Sequence, residues 1–301
     1  MASQRQPVCV VRRRSSPFID IFRTTPARTV CPNFYVLSHA NGCMFRPRCE
    51  YCYLKSSLWH LKREEAFANL DTMFQEVRRW VARDGLESYV LNAGNLSDSL
   101  AFEQVRPMMS RLADVFREAG AAGRKHSLLL VTKGGLDECR PLLEGAPCPN
   151  VIVSISVNSP DAARRYERGA ASVGSRLEAA RRLKAAGWRV RIRIDPMFMG
   201  FDYRRIIRDV CALGPERITL GSLRAEPHLK RVVNHGLLAD LQEAAEKGGL
   251  ARYPLAVRLA LYGPAVEALR DCCPMGLCEE TRDVWHALGL DADARCCNCG
   301  S

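Results

Sequence analysis

Three cysteines share one short stretch, Gly42-Cys43-Met44-Phe45-Arg46-Pro47-Arg48-Cys49-Glu50-Tyr51-Cys52-Tyr53-Leu54, in a Cys-x5-Cys-x2-Cys spacing. Three thiolates on one loop can hold three irons of a [4Fe–4S] cluster and leave the fourth iron open to a ligand. Structural zinc is the alternative, but it normally takes four ligands. No fourth cysteine is close in sequence, so His39 or His60 would have to fold in.

Six more thiols crowd the last 30 residues: Cys272, Cys273, Cys278, Cys296, Cys297 and Cys299. They could hold a second iron–sulfur cluster, or capture a soft, thiophilic species, since thiolates select soft ions. Two adjacent cysteines with a third two residues on suit a small three-coordinate centre such as trivalent arsenic, As(III). A zinc or disulfide staple of the C-terminus is the structural alternative. The scattered Cys9, Cys31, Cys139, Cys148 and Cys211 read as small buried hydrophobes.

These groups must be positioned by elements that the pattern makes legible. Six β-rich runs, Phe34–His39, Ser88–Asn92, Leu128–Thr132, Val151–Val157, Val190–Ile194 and Arg217–Leu220, alternate with amphipathic stretches such as Glu64–Arg83, Ser175–Ala186 and Tyr203–Leu213. That alternation predicts βα units on a parallel sheet. Gly187 and Gly214-Pro215 supply helix stops. The expected fold class is α/β, a partial (β/α)6 barrel over residues 31–225, with chemistry at the C-terminal ends of its strands. Residues 1–30 read as an irregular basic N-terminal arm. Residues 226–301 read as a helical C-terminal extension with a Cys-rich tail, including a short helix over Glu279–Leu288.

With 301 residues, 47% hydrophobic and 26% charged, the chain can fill a core, which excludes a disordered protein or a stapled mini-domain. No apolar run approaches about 18 residues, so no membrane partner is expected. The N-terminus offers no signal-peptide core, and a cytoplasmic location is expected. The net charge of +11 would favour nucleic acid or other anions, but solvated basic helix faces explain it equally, and nucleic acid is the less favoured partner. Arg12-Arg13-Arg14 reads as a solvated arm, or as a docking site for an acidic electron donor such as a flavodoxin or ferredoxin.

The cysteine loop, ending Glu50-Tyr51-Cys52-Tyr53-Leu54, resembles the radical S-adenosylmethionine (SAM) enzymes, specifically their spore photoproduct lyase branch, although the usual family spacing is Cys-x3-Cys-x2-Cys. The resemblance continues at the strand ends through Gly94-Asn95-Leu96-Ser97-Asp98-Ser99-Leu100, Thr132-Lys133, Ser156-Val157-Asn158-Ser159-Pro160, Asp195-Pro196-Met197 and Gly221-Ser222-Leu223-Arg224. It implies a [4Fe–4S] cluster on Cys43, Cys49 and Cys52, with SAM chelating the open iron. Lys133 would pair with the SAM carboxylate, and Ser97, Asp98, Ser156 and Asn158 would hydrogen-bond its amino group or ribose. Tyr51 would face the adenine. Each polar residue has a plain alternative as a cap or turn former, Asp98 above all.

Photoproduct lyases of this branch carry a hydrogen-donating cysteine two residues before the Ser-Asp of the second-strand motif, and here that position is Asn95. An amide cannot donate a hydrogen atom as a thiol can, which disfavours photoproduct repair. The Arg295-Cys296-Cys297-Asn298-Cys299 tail resembles that of the radical SAM enzymes of arsinothricin biosynthesis, one residue shorter. That likeness implies transfer of a 3-amino-3-carboxypropyl group from SAM to arsenite held by Cys296, Cys297 and Cys299. The alternative is an auxiliary cluster on the tail thiols, with a peptide, nucleic acid or small metabolite as substrate.

Overall fold

All six expected β-runs fall in one eight-stranded sheet. The structure, a computed structural model, describes residues 9–300 apart from 24, 27, 32, 234, 235 and 295. Its main sheet contains β1 (Ile19–Phe22), β2 (Phe34–Leu37), β3 (Val90–Asn92), β4 (Ser127–Thr132), β5 (Val151–Val157), β6 (Arg189–Met197), β7 (Arg217–Ser222) and β8 (Met275–Leu277). They lie side by side in chain order. Every neighbouring pair from β2 to β8 is parallel, and β1 runs antiparallel along β2. The sheet stays open, because β1 and β8 are its two edges.

Six helices of eight residues or more are described: α1 (Leu70–Val81), α2 (Met109–Ala121), α3 (Leu136–Leu143), α4 (Val173–Ala185), α5 (Arg204–Leu213) and α6 (Leu255–Leu269). The first five provide the crossovers between successive strands from β2 to β7. The Ser172 side chain caps α4 by accepting from Ser175 N–H at 3.2 Å. Gly214, with φ +58°, ends α5 in a left-handed conformation that costs a glycine little.

Alternation along the strands separates two faces. One face carries Leu128, Leu130, Val153, Ile155, Ile192, Ile194 and Leu220, packed with the helices in a single core. At about 1.5–3 kcal/mol for each fully buried side chain, that face supplies the main stabilisation. The opposite, inner face is apolar only near β3 to β5, where Val90, Leu129 and Ile152 meet. Elsewhere it buries Asn92, Ser154, Ser156, Arg191 and Thr219. Parallel strands are usually apolar on both sides, so a buried polar face needs occupants that satisfy it.

Four expectations are corrected. The stretch Glu64–Arg83 is not one helix: Glu65–Phe67 is a strand between Val10–Arg12 and Ala40–Asn41. Asn69 then turns the chain by exchanging hydrogen bonds with the Arg14 backbone at 2.9 and 3.1 Å. Ala66 and Phe67 are buried in the strand, and apolar residues would suit a helix face as well, so hydrophobicity alone could not choose. From residue 9 on, the N-terminal segment is not irregular, since β1 edges the main sheet and Arg12 pairs with Glu65 at 2.8 Å, whereas residues 1–8 of the expected arm lie outside the described residues. The C-terminal segment is not simply helical: β8 joins the sheet, and Glu280–Thr281 pairs with Thr29–Val30, leaving only Arg282–Ala287 of the expected helix. Cys211 is not an idle hydrophobe, because α5 and α6 bring it to Cys272 in a disulfide with Cα atoms 5.5 Å apart. Cys139 and Cys148 are buried as expected.

Candidate functional site

The loop carrying Cys43, Cys49 and Cys52 leaves the β2 end and is braced on three sides. Gly42, at φ +97°, donates its N–H to Leu96 O at 2.9 Å and forms a bridge to Ser97. Arg46 donates to Cys43 O at 2.9 Å, and Arg46 and Arg48 both pair with buried Glu64. Burial pushes the Glu64 carboxyl up, but the two guanidinia outweigh it and hold it below its ordinary value. On the third side Glu50 N–H donates to Tyr166 O at 2.9 Å, and Gly169 lies directly against the Arg46 and Pro47 backbone. A Cβ at Gly169 would stand 2.2 Å from Pro47 O, so only glycine fits beneath the loop.

The three thiols are half-buried. Burial keeps the Cys43 thiol well above its usual range and pushes Cys49 up to about 12, with Lys133 opposing the rise at Cys49. Cys43 is raised further by the charges of Cys52 and Cys49, and Cys49 by that of Cys52. Among the described residues no three Cys, His, Asp or Glu side chains close on a single metal ion. Three thiols on one loop that do not close on a single ion, with Lys133 beside Cys49, suit the wider, negatively charged [4Fe–4S] cluster better than one zinc ion.

Tyr51, on this loop between Cys49 and Cys52, enters a buried polar knot. Its hydroxyl donates to Glu167, its ring meets Phe198 edge-on at 5.3 Å, and Lys133 Nζ lies 5.7 Å from the ring centroid. Glu167 also accepts from Asn158 Nδ2 at 3.3 Å and Arg176 Nη1 at 2.6 Å. Burial alone would raise the Glu167 carboxyl, but Lys133 and Arg176 hold it below its ordinary value. Asn158 is otherwise engaged with Pro196 O at 2.9 Å and the Tyr203 hydroxyl at 3.2 Å.

The remaining expected cofactor contacts line the same strand ends. The Ser97 hydroxyl is 2.8 Å from His39 Nε2, which also meets Ala93 O at 3.0 Å. Asp98 is fully employed inside the protein: it accepts from the N–H groups of Leu100, Ala101 and Lys133 and from the Thr132 hydroxyl, at 2.7–3.2 Å. It therefore ties the loop after β3 to the end of β4, and no helix begins there for it to cap, the next being α2 at Met109. Ser156 is buried on the inner face, and its carbonyl accepts from Arg176 at 3.1 Å. The Asn95 carbonyl accepts from the Tyr53 hydroxyl.

The C-terminal peptide is the main surprise. It is threaded across the polar inner face: Arg191 donates to Asn298 O at 2.6 Å and Gly300 O at 2.7 Å, and Arg217 donates to Cys297 O at 3.0 Å and Gly300 O at 3.1 Å. Ser154 donates to Asn298 Oδ1 at 2.7 Å, and Asn92 reaches Cys299 Sγ at 3.8 Å. Cys299 packs against Val90, Leu129 and Ile152, and Cys297 is buried beside it. Cys296 turns away, into a cleft it shares with Cys272 and Cys273. Arg295 lies outside the described residues. The six C-terminal thiols are thus divided: Cys272 is in the disulfide, Cys273 and Cys296 line the outer cleft, and Cys278, Cys297 and Cys299 face inward.

A charged cluster at the ends of β6 and β7 was missed from sequence. Arg193 and Arg224 both hold Asp195, and both donate to Cys278 Sγ, at 3.3 and 3.2 Å. Burial pushes the Asp195 carboxyl up, but Arg224 and Arg193 outweigh it and hold it well below the usual carboxylate range. The signal available was Arg191, Arg193 and Asp195 recurring every second residue in an otherwise apolar strand. Glu167, Arg176 and Gly169 gave no local signal, because their partners lie on other segments.

Residues 19–213 match the family model described as spore photoproduct lyase. The chain is 27% identical over 164 residues to the spore photoproduct lyase of Geobacillus sp. (strain Y412MC61), covering 54% of this chain and 46% of that protein. It is 21% identical over 188 residues to that of Bacillus subtilis (strain 168), covering 61% and 53% respectively. The chain spans about half the length of these curated relatives. Among solved structures, a spore photoproduct lyase mutant with bound AdoMet and dinucleoside spore photoproduct aligns with a TM-score of 0.72 at 19% identity, over 89% of this chain and 81% of that one. At that identity the likeness is one of fold.

Proposed function

The chain belongs to the spore photoproduct lyase family, and from that premise we propose that it is a radical SAM enzyme whose second substrate is trivalent arsenic, received by thiols of its C-terminal region. The observation that supports this reading is the seat of the C-terminal peptide: residues 297–300 occupy the polar inner face, which turns the Cys299 thiol into the sheet rather than out to solvent.

In this reading Cys43, Cys49 and Cys52 hold the [4Fe–4S] cluster through their sulfurs. The cluster, when bound, supplies the electron that breaks a carbon–sulfur bond of SAM. Lys133, over the Tyr51 ring, pairs with the SAM carboxylate, while Ser97, Ser156 and Asn158 orient its amino group and ribose and Tyr51 flanks the adenine. Asp98 acts by holding Lys133 and Thr132 in place. Transfer of the 3-amino-3-carboxypropyl group to arsenic breaks its bond to the SAM sulfur, releases methylthioadenosine and forms a carbon–arsenic bond; a second electron from the same donor lets one arsenic hydroxyl leave as hydroxide and keeps arsenic trivalent, so no hydrogen donor is required, which accounts for Asn95. The reaction belongs in a reducing, cytoplasmic setting with a flavodoxin or ferredoxin as electron source. No helix among the described residues is long and apolar enough to cross a membrane.

Photoproduct repair is the second reading. It is favoured by the names of the relatives and by a net charge of +11 that suits an anionic polymer. The test is anaerobic: reconstitute the cluster, reduce it, and supply SAM with either arsenite or dinucleoside photoproduct. Methylthioadenosine with an arsenic-bearing amino acid supports the proposal. Conversion of the photoproduct, with arsenite inert, would replace it by repair. SAM cleavage that survived Cys43→Ala, Cys49→Ala and Cys52→Ala together would overturn the radical SAM assignment itself.

A further inference from the structure

Among the described residues the most exposed large apolar side chain is Trp59, at 68%, and the segment that carries it continues directly from the cysteine loop. Lys55 N–H donates to Cys52 O at 3.0 Å, Leu58 N–H to Leu54 O at 3.0 Å and Trp59 N–H to Ser56 O at 3.3 Å, one run of helical turns from the third loop cysteine. At about 1.5 Å of rise per residue, the seven residues from Cys52 to Trp59 span about 10 Å. The indole is framed rather than covered: His60 lies edge-on with ring centroids 6.1 Å apart, and His228 is tilted at 5.9 Å. The Ser56 hydroxyl fixes His228 there, 3.2 Å from its Nδ1, and itself donates to Glu226 at 3.0 Å. The short helix Leu229–Val232 continues from His228. Residues three and four apart share a helix face, so exposed Arg231 and Val232 lie on the side of that helix that meets the indole.

Lys62 and Arg63, just past Trp59 in the chain, are exposed as well. The carboxylates nearest along the chain are committed elsewhere: Glu64 to Arg46 and Arg48, Glu226 to Ser56 and Glu243 to Lys230. An exposed indole beside cations of one sign has the make-up of a protein-docking anchor, and the sign selects an acidic partner. The basic N-terminal arm offers less. Arg12 is spent on Glu65 at 2.8 Å, and Arg14 packs over Phe18 and Phe67 at 5.7 and 5.2 Å while donating to Pro17 O at 3.0 Å.

We infer that Trp59, with Lys62, Arg63 and Arg231, is the docking surface for an acidic one-electron carrier, a flavin or iron–sulfur protein, that reduces the cluster from this side. The inference rests on the cysteine loop holding a cluster and not on the identity of the second substrate. Each transfer moves a single electron: the carrier is oxidised by one, the cluster is reduced by one, and no bond forms or breaks. Single-stranded nucleic acid also stacks on indoles beside cations, but a seat on the direct continuation of the cysteine loop favours the carrier.

The test uses the full chain with its cluster reconstituted and a purified acidic flavodoxin as the probe. Binding is read by calorimetry, and SAM cleavage is followed with either reduced flavodoxin or dithionite as electron source. Wild type is expected to bind flavodoxin with a Kd that weakens as salt is raised. Trp59→Ala, and the double variant Lys62→Glu with Arg63→Glu, are each expected to weaken that Kd about tenfold and to raise the flavodoxin KM for SAM cleavage in step. Arg231→Glu is expected to act in the same direction. Iron content and the dithionite-driven rate, which needs no docking, are expected to stay at wild-type values. Arg13→Glu, a single charge reversal on the N-terminal arm, is expected to leave the Kd unchanged. No flavodoxin binding by wild type, an unaltered Kd in both Trp59→Ala and the double variant, or an equal loss in Arg13→Glu overturns the surface. A dithionite-driven rate that falls in parallel with the flavodoxin-driven one also overturns it, because the patch would then be structural. Loss of single-stranded DNA retention in the same variants, with flavodoxin Kd unaltered, would replace the carrier by nucleic acid.

Discussion

Replacing Glu167 by glutamine strikes the knot that joins the cysteine loop to the sheet. The Glu167 and Arg176 side chains are 0% and 1% exposed and meet at 2.6 Å, and the same carboxylate receives the Tyr51 hydroxyl and Asn158. Glu167→Gln leaves the Arg176 guanidinium with the Ala171 and Ser156 carbonyls, at 2.7 and 3.1 Å, but no counter-charge. Breaking a buried pair from one side costs about 3–5 kcal/mol, because the remaining charge is uncompensated. With an unfolding entropy of roughly 2.1 cal/mol/K per residue over this chain, that lowers Tm by about 5–8 °C. Differential scanning calorimetry on the reconstituted protein measures it. The double variant Glu167→Leu with Arg176→Met, which removes both charges, should recover most of the loss. Tyr51→Phe should cost less, about 1–2 kcal/mol, since it deletes one hydrogen bond and leaves the ion pair. A Glu167→Gln protein melting within about 1 °C of wild type would refute the claim that this pair is desolvated and mutually dependent.

Gly169→Ala should leave the sheet intact and disturb the loop above it, since its Cβ would press on the Arg46 and Pro47 backbone; iron after reconstitution should fall well below the about four per chain of a full cubane, and an unchanged iron content would refute the packing argument. Burial lowers the His39 imidazole to about 4 from 6.5. The unfolded chain therefore binds the extra proton first, so stability is complete above about pH 6.5 and is lost as pH falls toward 4, by up to about 3 kcal/mol. Denaturant midpoints between pH 7 and 4.5 should show this slope and His39→Gln should flatten it, whereas an identical slope in the variant would remove His39 as its cause. Asp98→Asn should keep the fold but weaken SAM binding through Lys133, since the amide cannot accept from all the donors that the carboxylate serves; unaltered SAM affinity by calorimetry would contradict the positioning role.

The six core strands and the cysteine loop were legible because each is local. Strands of three to nine residues declare themselves by composition, and Cys-x5-Cys-x2-Cys is read without knowing what packs against it. What stayed hidden depends on partners distant in sequence. Glu65–Phe67 became a strand only because Val10–Arg12 and Ala40–Asn41 were there to pair with it. The division of the terminal thiols could not be read from Cys296-Cys297-Asn298-Cys299, because it is decided by Arg191, Arg217 and Ser154 on three different strands. Asp98 was found by its motif, yet its four donors sit on two loops whose approach no spacing reveals.

In the function proposed above, this chain joins a fragment of SAM to a thiophile held inside the sheet. The most direct measurement uses SAM labelled with 13C in its aminocarboxypropyl carbons, incubated anaerobically with the reduced, reconstituted protein and arsenite, and resolves the arsenic-containing products by chromatography with elemental and molecular mass detection. The label is expected in an arsenic-bearing amino acid, with methylthioadenosine formed in equal amount. Label recovered only in methionine, beside deoxyadenosine and unchanged arsenite, would contradict it.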